Sequence, residues 1–162
     1  MKNVVIILLL LIVVKQLGAQ DFFIITNGIV SFNETQLEVG EAGNDISANL
    51  RSNAVYLSVN SNYYWNMNNE RWRIYIHKSD INWDDQIQLT VKRTGKGQKY
   101  WGGKPYIQGG NSNVRINDNP TYFFNGKDKV LNIPVKFRVK KLSLTMGAED
   151  FETDIVFTIY DN

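Results

Sequence analysis

Apolar and polar residues alternate with period two through most of this chain. Val55, Leu57 and Val59 are separated by Tyr56, Ser58 and Asn60, and Trp72, Ile74 and Ile76 by Arg73 and Tyr75. Ile87, Leu89 and Val91 repeat the pattern. The longest run is Leu131, Ile133, Val135, Phe137 and Val139, and a last one carries Ile155, Phe157 and Ile159. Such alternation predicts strands with one face in a core and the other in water. Phe22–Ile25 with Ile29–Phe32, Gln36–Val39 and Leu142–Met146 read as further strands. Beyond the N-terminal leader, no stretch carries the 3.6-residue apolar stripe of a helix.

Short alternating strands with Asn- and Gly-rich breaks predict an all-β fold, an immunoglobulin-like antiparallel β-sandwich of about seven strands. A jelly roll is the alternative. Pro134 has no N–H to give to a ladder, so its strand is expected at a sheet edge, or the proline at a bulge. The largest irregular piece is Gly95–Asn119. It exceeds the ~12–15 residues of ordinary connections, which points to a functional loop or to disorder. Within it, Tyr106-Ile107 is a candidate short strand.

The N-terminus has a different character. Lys2 precedes an unbroken apolar run from Val4 to Val14, followed by Gly18 and Ala19. The run is shorter than the roughly 18 residues of a membrane-spanning helix. It fits a signal peptide over residues 1–19, with 20–162 as a single exported domain, periplasmic, secreted or on the cell surface. No second run of that kind follows, so no stable membrane insertion is expected after cleavage. The leader holds Lys2 and Lys15 and no acid, so the remainder of a chain with 18 basic and 16 acidic residues is formally neutral. Neutrality gives no reason to expect nucleic acid as a partner. The chain has no cysteine. Disulfides, thiol catalysis and cysteine-based metal sites are therefore excluded, and burial and strand pairing must supply the stability.

Little in the sequence points to catalysis. The one histidine, His77, is expected on the outward face of a strand, with no nucleophile elbow or oriented carboxylate to make a triad. Asp80-Ile81-Asn82-Trp83-Asp84-Asp85 begins like a calcium loop. It then fails, with Asp85 where a glycine belongs and Val91 where the bidentate glutamate belongs. A solvated turn in which Asp80 or Asn82 bonds local backbone is the better reading. No phosphate-binding glycine motif precedes a helix. The expectation is a non-enzyme with no cofactor and no metal. Asn33-Glu34-Thr35 forms a glycosylation sequon on an exported chain, read here as coincidental.

Aromatic residues are the stronger signal. Tyr100, Trp101 and Tyr106 sit in the long glycine-rich segment among Lys96, Lys99 and Lys104. With Trp83 they are the candidate ligand-binding residues, suited to stacking against sugar rings or a protein partner. The competing role for Trp101 is to fold back and cap the sandwich. Near the N-terminus, Phe22, Phe23, Ile24, Ile25, Ile29, Val30 and Phe32 are apolar at both parities. That pattern suits a strand covered on both faces, or a strand donated to another subunit; an ordinary first strand reads equally well.

Asn132-Ile133-Pro134-Val135-Lys136-Phe137-Arg138-Val139, followed by the stretch from Gly147 through Phe151 to Ile159, resembles the end of spore-coat-U-type and related chaperone–usher (pilin-like) domains. Val55–Asn62 leading to Trp65 has a similar look. The chain lacks the cysteine pair that many such subunits carry. The resemblance implies an immunoglobulin-like sandwich without its last strand, whose groove receives an N-terminal extension of another subunit by strand addition. The expectation is thus an exported, non-catalytic surface or fimbria-like structural subunit, with other exported subunits or copies of itself as partners. The alternative is a secreted carbohydrate- or protein-binding module using the aromatic loop.

Overall fold

The computed structural model describes residues 22–32, 49–61, 70–142 and 151–161. The leader, the sequon, the expected strand at Gln36–Val39, residues 143–146 of the expected strand after Leu142, and Tyr63-Tyr64-Trp65 lie outside the described residues.

Every alternating run within them is a strand. There are eleven: β1 (Phe22–Asn27), β2 (Asn49–Arg51), β3 (Val55–Ser61), β4 (Arg71–Asn82), β5 (Gln88–Arg93), β6 (Gln98–Lys99), β7 (Ile107–Gly109), β8 (Val114–Arg115), β9 (Thr121–Lys127), β10 (Val130–Lys140) and β11 (Glu152–Asp161). They form two antiparallel sheets that pack as a β-sandwich. One runs β1-β3-β10-β5-β8, with β2 and β6 also on β10; the other runs β11-β4-β9-β7. The in-phase residues meet between the sheets: Leu57, Val59, Trp72, Ile74, Ile76, Val91, Ile133 and Val135 are fully buried. Each such side chain contributes roughly 1.5–3 kcal/mol by leaving water.

The expected count of about seven strands is corrected upward for two reasons. First, β10 is long enough to have two strands end to end on each side. β3 pairs Val130–Val135 and β2 continues along Arg138–Lys140, while β5 and β6 divide the other side. Ser52 bridges the break between β2 and β3: its N–H donates to Phe137 O at 3.0 Å and its Oγ accepts from Phe137 N–H at 2.9 Å. Second, the piece from Gly95 to Asn119 is ordered and contains β6, β7 and β8. The candidate strand at Tyr106-Ile107 is found one residue later, at Ile107–Gly109.

Pro134 lies on the central strand β10, not at an edge. Its carbonyl accepts from Thr94 N–H at 2.8 Å, just where the β5 and β6 ladders are interrupted. The absent N–H therefore falls in the gap between those two ladders, and neither expected placement holds: Pro134 pairs in register with Tyr56, and the bulge of β10 lies before it. Asn132, at φ 54°, breaks the register between Val130 and Ile133. That bulge changes the phase, so Val130 is buried and Leu131 is only half-buried, against the simple alternation. At the N-terminus the strand stops at Asn27, before Gly28 at φ 113°. Ile29–Phe32 is not a strand; only Phe32 bridges to Ser52, and Asn53 clasps the segment through Ile29 O at 2.8 Å and Ser31 N–H at 2.9 Å.

Candidate functional site

The four aromatics proposed as one ligand site fall in two places. Tyr100 and Trp101 follow β6 at a turn whose next residues, Gly102 and Gly103, have φ of 81° and 83° and open space around them. Their rings meet edge to face at 5.0 Å. Trp101 is 64% exposed and does not cap the core. The Lys129 ammonium lies 5.7 Å from the Tyr100 ring, and that of Lys127 lies 4.9 Å from the ring of Tyr106. Trp83 is elsewhere. It packs against the core at the β4–β5 connection, with its indole N–H donating to Ile87 O at 3.3 Å. Tyr100 is anchored beside the start of β10 through Lys129, whereas Trp83 shares a groove with Val139 near its end. Eleven residues of strand separate those ends, roughly 30 Å.

That groove, about 400 Å³, opens between the sheets and is lined mainly by apolar side chains, among them Phe32, Leu50, Trp83, Phe137, Phe151 and Ile155. It lies beside the first half of β11, which among the described residues is the last strand of its sheet. β1, the terminal strand of the other sheet, runs near β11. Their inward residues are incompletely covered: Ile24, Ile155 and Phe157 are half-buried although in phase with the core. The candidate donor residues divide by parity. Phe22 is buried and Ile24 points inward, while Phe23 and Ile25 on the opposite face are 38% and 47% exposed. Ile29 and Val30 are exposed as well, and Phe32 packs on the core. In this chain β1 is seated antiparallel on its own β3, from Phe22 opposite Ser61 to Asn27 opposite Tyr56.

Sequence reasoning missed two inward-phase cations. Lys78 continues the Trp72-Ile74-Ile76 phase of β4 yet is buried. Its ammonium pairs with Asp80 and with Asp118 at 2.8 Å. Burial alone would lower its pKa, but these hydrogen bonds and charges outweigh it and hold the ammonium above the usual lysine value. Asp80 also accepts from Thr153 Oγ at 2.8 Å, so the first carboxylate of the calcium-like run is committed to a cation and a hydroxyl. In the same turn Asp84 Oδ1 accepts from Gln86 N–H at 2.7 Å, a local backbone bond. Arg93 ends β5 in the inward phase. It donates to Gly109 O at 2.8 and 3.1 Å and to Gly95 O at 2.6 Å, and burial pushes its pKa down. His77 is on the outward parity of β4 as expected, but half-buried, with Nδ1 enclosed and unbonded.

A further group of tyrosines occupies the outer face of the four-stranded sheet. Tyr75 meets Tyr122 at 5.8 Å and Tyr160 at 5.3 Å, both edge to face. These rings come from β4, β9 and β11, three adjacent strands, and register alone brings them together. In the sequence, Tyr75 and Tyr160 read only as the polar partners of core residues, so nothing local marked them. Comparison with protein-family models, with curated proteins and with solved structures found no match to this chain.

Proposed function

We propose that this protein is an exported, non-catalytic structural subunit of a surface assembly, docking to its neighbours by strand addition along the β1/β11 side. One observation carries the reading: in-phase residues of β11, Ile155 and Phe157, stay half-buried, and Ile155 lines an apolar groove. An edge strand with uncovered inward residues is a template for another strand. The apolar outer parity of β1, Phe23 and Ile25, adds a second surface that a neighbour would cover. The strand it would accept has the character of residues 21–32, supplied by another copy. Mass and thermal unfolding of the purified domain test this. Heat-labile oligomers, converted to a stable species by added 21–32 peptide, are expected. A cooperative monomer indifferent to the peptide would overturn the proposal.

A second reading, a secreted binding module, is favoured by the exposure of Trp101 at an open glycine turn. Trp101→Ala separates the two: it removes ligand binding in a module and leaves assembly unchanged in a subunit.

A further inference from the structure

The outer face of the four-stranded sheet has a chemistry that neither folding nor strand addition uses. Cross-strand register sets its side chains in rows. Thr158 lies opposite Tyr75 and Tyr75 opposite Tyr122. In the next row Tyr160 faces Arg73, Arg73 faces Asn125, and Asn125 faces Gln108. Arg71 faces Lys127 in the row beyond, where the Lys127 ammonium sits over the Tyr106 ring. The three central rings form a continuous aromatic strip across three strands, roughly 10 Å at the usual strand spacing. Tyr160 is 51% exposed at its end. A hollow of about 440 Å³ runs along the strip, lined by Arg73, Tyr75, Pro120, Tyr160 and Asp161.

Three properties narrow the ligand. The strip is flat and aromatic, which suits stacking against planar or saturated rings. It is bordered by amides, with Asn125 Nδ2 donating to Tyr122 OH at 2.8 Å, which leaves hydroxyl-recognising groups beside the rings. The charge is mixed but basic on balance. Arg71 and Lys127 face each other in the row beyond the strip, Arg73 and Asp161 border the hollow together, and Asp154 lies at the far end, opposite Ser79. Rings, hydroxyls and negative charge coincide in one class of polymer.

We propose that this face binds an acidic polysaccharide, its sugar rings stacking on Tyr75, Tyr122 and Tyr160 and its carboxylates received by Arg71 and Lys127. The site is on the opposite face of its sheet from the core and does not depend on how the protein assembles. Calorimetric titration with oligogalacturonate, a neutral cello-oligosaccharide and a short oligothymidylate tests it. Binding of the uronate alone is expected, weakening as salt rises. Tyr160→Ala should reduce affinity at least tenfold, with an unchanged thermal midpoint. The pair Arg71→Gln and Lys127→Gln should reduce it similarly and flatten the salt dependence. No uronate binding at millimolar concentration, equal binding of the neutral sugar, a preference for the oligonucleotide, or wild-type affinity in both variants would each overturn it.

Discussion

Along the β7/β8 side of the sandwich, the inward residues Ile107 and Ile116 are 4% and 2% exposed. Along the β1/β11 side Phe22 and Ile159 are buried at one end, but Ile155 and Phe157 are only half-buried, as Val114 of β8 is. The contrast comes from what crosses between the sheets. On the first side the 94–120 segment gives β8 to one sheet and β7 to the other, and Arg93 ties it down through Gly95 and Gly109. Lys78 holds the same side further along, through Asp118 and a backbone bond from its N–H to Asn117 O at 2.9 Å. On the second side β1 and β11 run close together, with Ile24, Ile155 and Phe157 packed against the core. Burying a cation is unfavourable unless it is fully bonded. Bonded cations therefore anchor the 94–120 segment within the chain, whereas the half-covered apolar residues lie on the side that the proposed assembly would use.

Variants can break this comparison in order of expected effect. Arg93→Met removes a buried guanidinium that donates to the Gly109 and Gly95 carbonyls and should cost about 2 kcal/mol in urea unfolding. An unchanged midpoint would mean that Arg93 does not hold the closed side. Phe157→Ser removes a half-covered side chain, so the isolated domain should lose only about 1 kcal/mol. Self-association, followed by light scattering, should fall far more than stability does. Equal losses in both would place Phe157 in an ordinary core.

Lys78→Met should cost less than Arg93→Met at neutral pH, because Asp85 and Asp118 are largely exposed and Asp80 keeps its bond from Thr153. The raised Lys78 pKa fixes the sign of its pH dependence. Its contribution is fully present below the ordinary lysine value of about 10.4 and is lost as pH rises through the folded-state value. Melting curves of the two proteins should converge in that alkaline range; a constant difference would contradict the pairing. Smallest of all, Trp101→Ala should change stability by less than about 0.5 kcal/mol, as a solvated side chain does. A larger loss would show that the tryptophan is part of the packing.

Strands and core were legible because period-two alternation reports burial directly: Val55, Leu57 and Val59, or Trp72, Ile74 and Ile76, needed no tertiary information. The failures share one cause, dependence on a distant partner. The order within 95–119 comes from β5, β9 and β10, and the phase change at Val130 from a bulge at Asn132. Lys78 continued an apolar phase, and its burial is tolerable because Asp80 and, forty residues on, Asp118 both pair with it. The sequence marks Trp101 as a loop aromatic, but its exposure depends on an open glycine turn where its ring meets that of Tyr100 edge to face. Trp83 was grouped with it by residue type alone, and the fold puts it at the other end of β10. The tyrosine strip required the register of three strands.

Hydrogen exchange along β11, with and without a synthetic peptide of residues 21–32, tests the open-side account most directly. The account predicts that amides within Glu152–Phe157 exchange fast in the purified domain and become protected as peptide is added, while those of β7 and β8 are protected throughout. Equal protection of both sides without peptide, unchanged by its addition, would contradict it.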